Sequence, residues 1–304
     1  MNSKKVNRIF LAIVLTHIVT VILLGIFGSV FTLEIVPNFI ISQAIILVPA
    51  VAGTLIAREN PFKLAGFHKI KISSVFMIVL FTFLVMPLTT VINAFSMLFV
   101  DNTVVAMSGD ILQVPFIVML FIIGVFGPFS EELVFRGIIY HGYKKSGTVF
   151  QALLLSALLF ALMHMNFNQA AYAVVIGVML VLLVEATGSL WGSIIFHVIF
   201  NSQQVCLMYL SDKVSPGSLM ASEDMLTKDM LMMALSVYLV IAAVTTTLAV
   251  CVLVWIAKNE KREEKLRAVW TERKNKTGSR MITVPLLAAI VLCLSYMCLD
   301  FIFF

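Results

Sequence analysis

Charge is what this sequence has least of. Only 12% of its 304 residues are Asp, Glu, Lys or Arg, against roughly a quarter in an ordinary water-soluble domain. With 61% of the chain hydrophobic, a soluble globular protein is excluded and an integral membrane protein is implied. The chain also lacks ten-residue stretches in which apolar and polar side chains alternate, which argues against a transmembrane β-barrel. There is no internal repeat and no low-complexity segment. The four cysteines, Cys206, Cys251, Cys293 and Cys298, have no metal-ligand spacing and fall in apolar spans, so they read as small buried hydrophobes that fix no redox compartment. No small-residue cleavage site follows the N-terminal apolar run, which therefore reads as a retained span rather than a removed signal peptide.

What is present is grease in membrane-length pieces. About 20 helical residues cross a hydrocarbon core of roughly 30 Å. Nine apolar segments qualify, at 9–31, 35–57, 74–99, 112–142, 149–166, 169–186, 190–210, 230–257 and 281–304. They predict an all-α polytopic transmembrane bundle. The segments at 149–166 and 169–186 are short enough for one to be partly re-entrant, which would leave eight full crossings.

The basic residues orient the bundle. With the N-terminus in the cytoplasm, 19 of the 21 Lys and Arg residues fall inside: Lys4, Lys5 and Arg8; Arg58, Lys63, Lys69 and Lys71; Arg136, Lys144 and Lys145; and nine from Lys258 to Arg280. Lys213 and Lys228 fall outside. This bias follows the positive-inside rule. The net charge of +5 thus reports topology, and no nucleic-acid partner is expected. The stretch "KNEKREEKLRAVWTERKNKTGSR" at 258–280 reads as a solvated cytoplasmic segment that leans on anionic head groups. The chain divides into N-terminal spans at 1–111, a central stretch at 112–210, and C-terminal spans at 211–304 that include this basic loop.

Ionisable side chains inside spans are rare and usually mark function. The stretch "GPFSEELVFRG" (Gly127 to Gly137) holds Glu131, Glu132 and Arg136; "FALMHMNF" holds His164; "IIFHVIFN" holds His197 and Asn201. His17, His141, Glu185 and Asp300 have plainer readings. His17 would bond a neighbouring helix, His141 would lie at the interface, and Glu185 and Asp300 would reach water from span ends. A spacing of four puts His197 and Asn201 on one helix face and lets Glu132 pair with Arg136, while Glu131 is rotated by about 100°. At about 1.5 Å per residue, Glu131, His164, His197 and Asn201 reach overlapping depths. They would then converge in one cytoplasm-facing cavity. The competing reading makes Ser130 an N-cap after a helix break at Gly127-Pro128, with "SEELVFRGIIYHGYKK" an amphipathic helix lying in the interface.

A carboxylate with two histidines and an amide suits amide hydrolysis without a serine or cysteine nucleophile. Glu131 would deprotonate water. His164 would hold that water or pass a proton to the leaving amine, and His197 and Asn201 would donate to the oxyanion. Glu131, His164 and His197 also admit a three-ligand zinc site with an open position, although the H-E-x-x-H helix that would strengthen it is missing. Metal-independent chemistry is ranked ahead. Two non-proteolytic readings stand beside these: a membrane scaffold or bacteriocin-immunity protein, and a proton-coupled transporter. The matched broken helices of many transporters are not seen.

The motifs E-E-x-x-x-R at Glu131 to Arg136, F-x-x-x-H at Phe160 to His164 and H-x-x-x-N at His197 to Asn201 occur in that order on successive segments. In this the chain resembles the CPBP family of intramembrane proteases, also called the CAAX protease and bacteriocin-processing, or Abi, family. The resemblance covers roughly 112–210. It implies an endopeptidase acting within the membrane on protein or peptide substrates, with Glu131 and His164 activating water and His197 and Asn201 stabilising the transition state. Glu132, Arg136 and Phe160 would be supporting motif residues. Short loops and the positive-inside pattern suit a bacterial plasma membrane, where prenylated substrates are not expected. Nothing in the sequence fixes an oligomeric state.

Overall fold

A computed structural model describes residues 1–28, 33–216, 228–275 and 280–303. The ends of two expected spans, at 29–31 and 304, lie outside the described residues, as does Lys276; of Lys228 only the backbone is described. The described chain is helical throughout. Its helices run α1 (Ser3–Phe27), α2 (Ile35–Ile56), α3 (Pro61–Ala65), α4 (Ile72–Ser96), α5 (Thr103–Ala106), α6 (Ser108–Leu112), α7 (Phe116–Lys144), α8 (Val149–Leu162), α9 (Phe167–Thr187), α10 (Leu190–Val214), α11 (Lys228–Asn259), α12 (Glu263–Thr271) and α13 (Val284–Phe303).

Each apolar segment expected from the sequence contains a helix among the described residues, and eight of these helices are long and apolar enough to cross a membrane. The chain is an integral multi-pass membrane protein. The exception is α8, whose 14 residues rise only about 21 Å. It starts from a reciprocal cap, in which the Thr148 side chain accepts from Gln151 N–H and Gln151 accepts from Thr148 N–H. It ends in a sharp turn at 163–166 where Met165 holds φ +56°. Asn166 then caps α9, accepting from Gln169 N–H at 2.8 Å and donating to the His164 carbonyl at 2.9 Å. The α8–α9 hairpin therefore turns back early.

One end of the bundle gathers the segments that carry most of the basic residues. Ser3 N–H donates to Ser146 at 2.8 Å, Lys145 faces Glu59 at 3.7 Å, Lys71 N–H donates to Glu260 at 2.9 Å, and Arg262 donates to the Glu185 carbonyl at 2.9 Å. Gly188 has φ +71°, and a Cβ there would stand 2.9 Å from Arg262. That position needs glycine on both counts. Arg136, expected among the inner flanking residues, is instead fully buried in the bundle. Its charge is met by Glu132, not by water or head groups.

Helices α7 and α9 are the interior of the molecule. In their most apolar windows 50% and 61% of residues are buried, against 22% in α1, α2 and α13. Large apolar side chains such as Ile117, Val240 and Val291 stay exposed on the outside, as expected where the solvent is lipid. The same reason corrects the reading of the cysteines. Cys293 is buried, but Cys206, Cys251 and Cys298 are exposed, because hydrocarbon accepts a thiol on the bundle's outer face as readily as its interior does.

Candidate active site

Helix α7 carries the two adjacent carboxylates, and it is not a uniform α-helix. Two π-helical stretches, Leu120–Phe126 and Leu133–Tyr140, flank an α-helical segment at Gly127–Glu132. Wide turns of this kind are rare and recur at functional sites. Pro128 explains part of the geometry. It has no N–H, so in the α register it leaves the Gly124 carbonyl without its donor, and in the π register the Ile123 carbonyl. Both carbonyls are met from α10: Asn201 Nδ2 donates to Ile123 O at 3.3 Å, and Ser202 Oγ donates to Gly124 O at 3.3 Å. Gly124 lets α10 come this close, since a Cβ there would lie 2.6 Å from Ser202 Oγ.

The helix is therefore continuous through Gly127-Pro128, and the expected break does not occur. The interfacial reading of "SEELVFRGIIYHGYKK" is overturned as well, because Glu132 and Arg136 are both fully buried. A pair of ions can stay inside the bundle when each meets the other's charge. Arg136 donates to Glu132 Oε1 at 2.8 Å, and its guanidinium lies 4.1 Å over the ring of Phe160, a cation–π contact.

His197 stands between the two carboxylates. Its Nδ1 is 2.9 Å from Glu132 Oε1 and its Nε2 is 3.8 Å from Glu131 Oε2. Glu132, paired with Arg136, offers only acceptors, which assigns the proton to Nδ1. Nε2 is then the ring atom that faces Glu131. Of the two carboxylates only Glu131 is reachable, with 19% of its side chain exposed against none of Glu132.

His164 comes in from the turn after α8. Its Nδ1 lies 2.9 Å from the Phe160 carbonyl; the carbonyl can only accept, so this proton too sits on Nδ1 and Nε2 is bare. Phe160 joins the pieces: its ring meets His164 edge-on at 4.9 Å, His197 edge-on at 5.8 Å and Phe135 at 5.3 Å. His164 lies within electrostatic reach of Glu131, His197 and Arg136.

The structure thus brings Glu131, Glu132, Arg136, Phe160, His164 and His197 into one cluster. Asn201 is one turn along α10 from His197, its amide engaged with the π-helical carbonyl. Among the described residues no three or more His, Cys, Asp or Glu side chains are grouped so that they could hold a metal ion.

Two residues of this region were not read from the sequence. Gln43 of α2 donates from Nε2 to Glu131 Oε1 at 3.4 Å, and its own Oε1 is buried without a partner. A mid-span amide in an apolar helix was signal enough to find it, but uncharged glutamine escaped a search for ionisable groups. Tyr172 of α9 lies within electrostatic reach of Glu131, and a lone span tyrosine carries no such signal.

The plainer polar residues resolve differently. His17 packs edge-on against Tyr296 of α13 at 5.5 Å, and its buried Nε2 has no hydrogen-bond partner among the described residues, where a bond to a neighbouring helix was expected. Glu185 is buried rather than water-reaching, and it accepts from Tyr140 Oη at 2.7 Å and from Lys144 Nζ. His141 turns back to the Arg136 carbonyl at 2.7 Å.

Residues 113–203 match the family model described as Type II CAAX prenyl endopeptidase Rce1-like. The match spans the three motifs and agrees with the resemblance they carry to CAAX-type proteases. No curated protein and no solved structure gave a match.

Proposed function

We propose that this chain, whose central segment matches a family of CAAX prenyl endopeptidases, is an intramembrane endopeptidase that hydrolyses peptide bonds of membrane-associated proteins or peptides with a water activated by Glu131. The observation that carries the reading is the placement of His197 between a buried, neutralised Glu132 and an accessible Glu131. One carboxylate orients the ring and the other is left for chemistry.

In this mechanism Glu131 Oε2 takes a proton from water, whose oxygen attacks the scissile carbonyl carbon. Nε2 of His197, across from that oxygen, accepts the water's second hydrogen and fixes its direction. The carbonyl π bond opens to an oxyanion. Nδ1 of each histidine faces an acceptor, Glu132 or the Phe160 carbonyl, which leaves Nε2 of a neutral ring to accept. Asn201, whose amide keeps a second hydrogen beyond the one given to Ile123 O, donates it to the oxyanion. In this proposal His197 orients the water, where the sequence led us to expect that it donates to the oxyanion beside Asn201. Collapse of the intermediate breaks the C–N bond, and the proton held by Glu131 reaches the leaving amine, directly or through Nε2 of His164.

No step needs a metal, and the chemistry is written without one. The bias of Lys and Arg toward one end of the bundle supports a cytoplasmic N-terminus and basic end, and short loops suit a bacterial plasma membrane.

The test is cleavage of a membrane-associated peptide library by the full chain in liposomes, comparing wild type with Glu131→Gln. Loss of turnover with retained folding supports the reading. Equal cleavage by both proteins would remove Glu131 from the mechanism.

A further inference from the structure

Away from the carboxylates, a cavity of about 680 Å³ opens between the α2–α3 turn and the last turn of α7. Arg58, Lys63, Lys144, Lys145 and His141 line it, with Glu59 as its one acid. The acid is already engaged, by the Met1 amine and by Lys145 at 3.7 Å. Lys144 is shared with Glu185. Among the described residues Arg58 and Lys63 have no acidic partner, so cations outnumber acids at the cavity. Asn60 accepts from Lys63 N–H through Oδ1, which leaves its amide N–H groups free to donate.

The backbone keeps a cation here against its own preference. Arg58 closes α2 at φ +60°, a left-handed position where glycine is the common residue and a side chain is strained. The surroundings are apolar as well. Ile56 and Phe62, next to the cavity in sequence, are 83% and 58% exposed. Exposed cations around an open pocket, flanked by bare hydrocarbon at the end of the bundle that collects the basic segments, match an amphiphile with an anionic head. Basic pockets between helices on that side of a membrane hold phosphate head groups, and the volume suits a small ligand.

We propose that this cavity binds the phosphate of an anionic membrane lipid, with Arg58 and Lys63 as its principal contacts and Ile56 and Phe62 against the acyl chains. The site is separate from the carboxylates, and its occupancy is read by binding, independently of proteolysis.

The test uses the full chain in phosphatidylcholine nanodiscs doped with phosphatidylglycerol, with retained lipid identified by native mass spectrometry. Wild type is expected to retain phosphatidylglycerol about tenfold or more over phosphatidylcholine, and Arg58→Gln with Lys63→Gln to lose that preference. Arg273→Gln with Lys274→Gln, which removes the same charge from exposed α12-flanking positions, is expected to keep it. Equal loss in both double variants would reduce the effect to diffuse surface charge and overturn the proposal, as would the absence of any preference in wild type. Displacement of the lipid by inorganic phosphate, dependent on Arg58, would assign the site to free phosphate instead. Should the neutral variant unfold, Arg58→Lys with Lys63→Arg keeps both charges and is expected to retain the lipid; its failure to do so while folded would count against the site.

Discussion

Nδ1 of His197 sits 2.9 Å from Oε1 of Glu132, the oxygen that Arg136 also reaches at 2.8 Å. One buried oxygen therefore fixes the orientation of a ring on α10 and balances a charge on α7. Glu132→Gln removes the negative charge and leaves the Arg136 guanidinium unpaired in the bundle. Breaking a buried pair from one side costs roughly 3–5 kcal/mol. The variant is expected to melt well below wild type in detergent, while Glu132→Gln with Arg136→Met recovers most of the stability but not the activity. Recovery of both would show that Glu132 has no part in positioning His197.

Phe160 is expected to behave as the joint of the site. Its ring contacts Arg136, His164 and His197. Phe160→Ala should cost about 3–5 kcal/mol through the cavity it leaves. Phe160→Leu keeps more of the volume and removes the cation–π contact, worth up to about 2 kcal/mol when desolvated. The measurement is thermal unfolding beside turnover; a Phe160→Leu protein with wild-type activity would place the histidines independently of this ring.

Gln43→Leu keeps a similar shape and removes the donor to Glu131 Oε1. A hydrogen bond to a charged group is worth about 1.5–3 kcal/mol at best, and this one is long, so the expected loss is about tenfold in kcat with KM little changed. A change confined to KM would mean that Gln43 contacts substrate rather than Glu131.

Asn201 and Ser202 form a matched pair for comparison, since each donates to one of the carbonyls behind Pro128. Loss of an oxyanion donor typically lowers kcat on the order of 10²–10³. Asn201→Ala should show a drop of that size, whereas Ser202→Ala should cost only about 1 kcal/mol of stability. Equal effects on turnover would reduce Asn201 to a structural prop for the π-helical turn.

Metal removal completes the set. Turnover by the reconstituted protein is expected to survive prolonged exposure to EDTA or phenanthroline, with elemental analysis run in parallel. Stoichiometric zinc that leaves together with activity would call for a different mechanism.

Much of this was legible in the sequence because a bilayer makes charge expensive. Glu131, Glu132, Arg136, His164, His197 and Asn201 stand out in apolar spans without any structure, and the i, i+4 spacing already pairs Glu132 with Arg136. The nine helical segments follow from hydropathy for the same reason. The truncation of α8 was signalled only as shortness, since where a hairpin turns back depends on the caps at Thr148 and Asn166 and on the turn around Met165.

Other features lay beyond any one-dimensional reading. Helical spacing assumes 3.6 residues per turn, and the π-helical stretches of α7 depart from it, so the break anticipated at Gly127-Pro128 became a continuous helix repaired from α10. Gln43 is 88 residues from Glu131, and no spacing rule joins two helices so far apart. The sequence by itself determined which side chains could not be left in lipid. Tertiary structure alone decided that His197 stands between the two glutamates, one ring nitrogen toward each, because that placement depends on how α10 packs against α7.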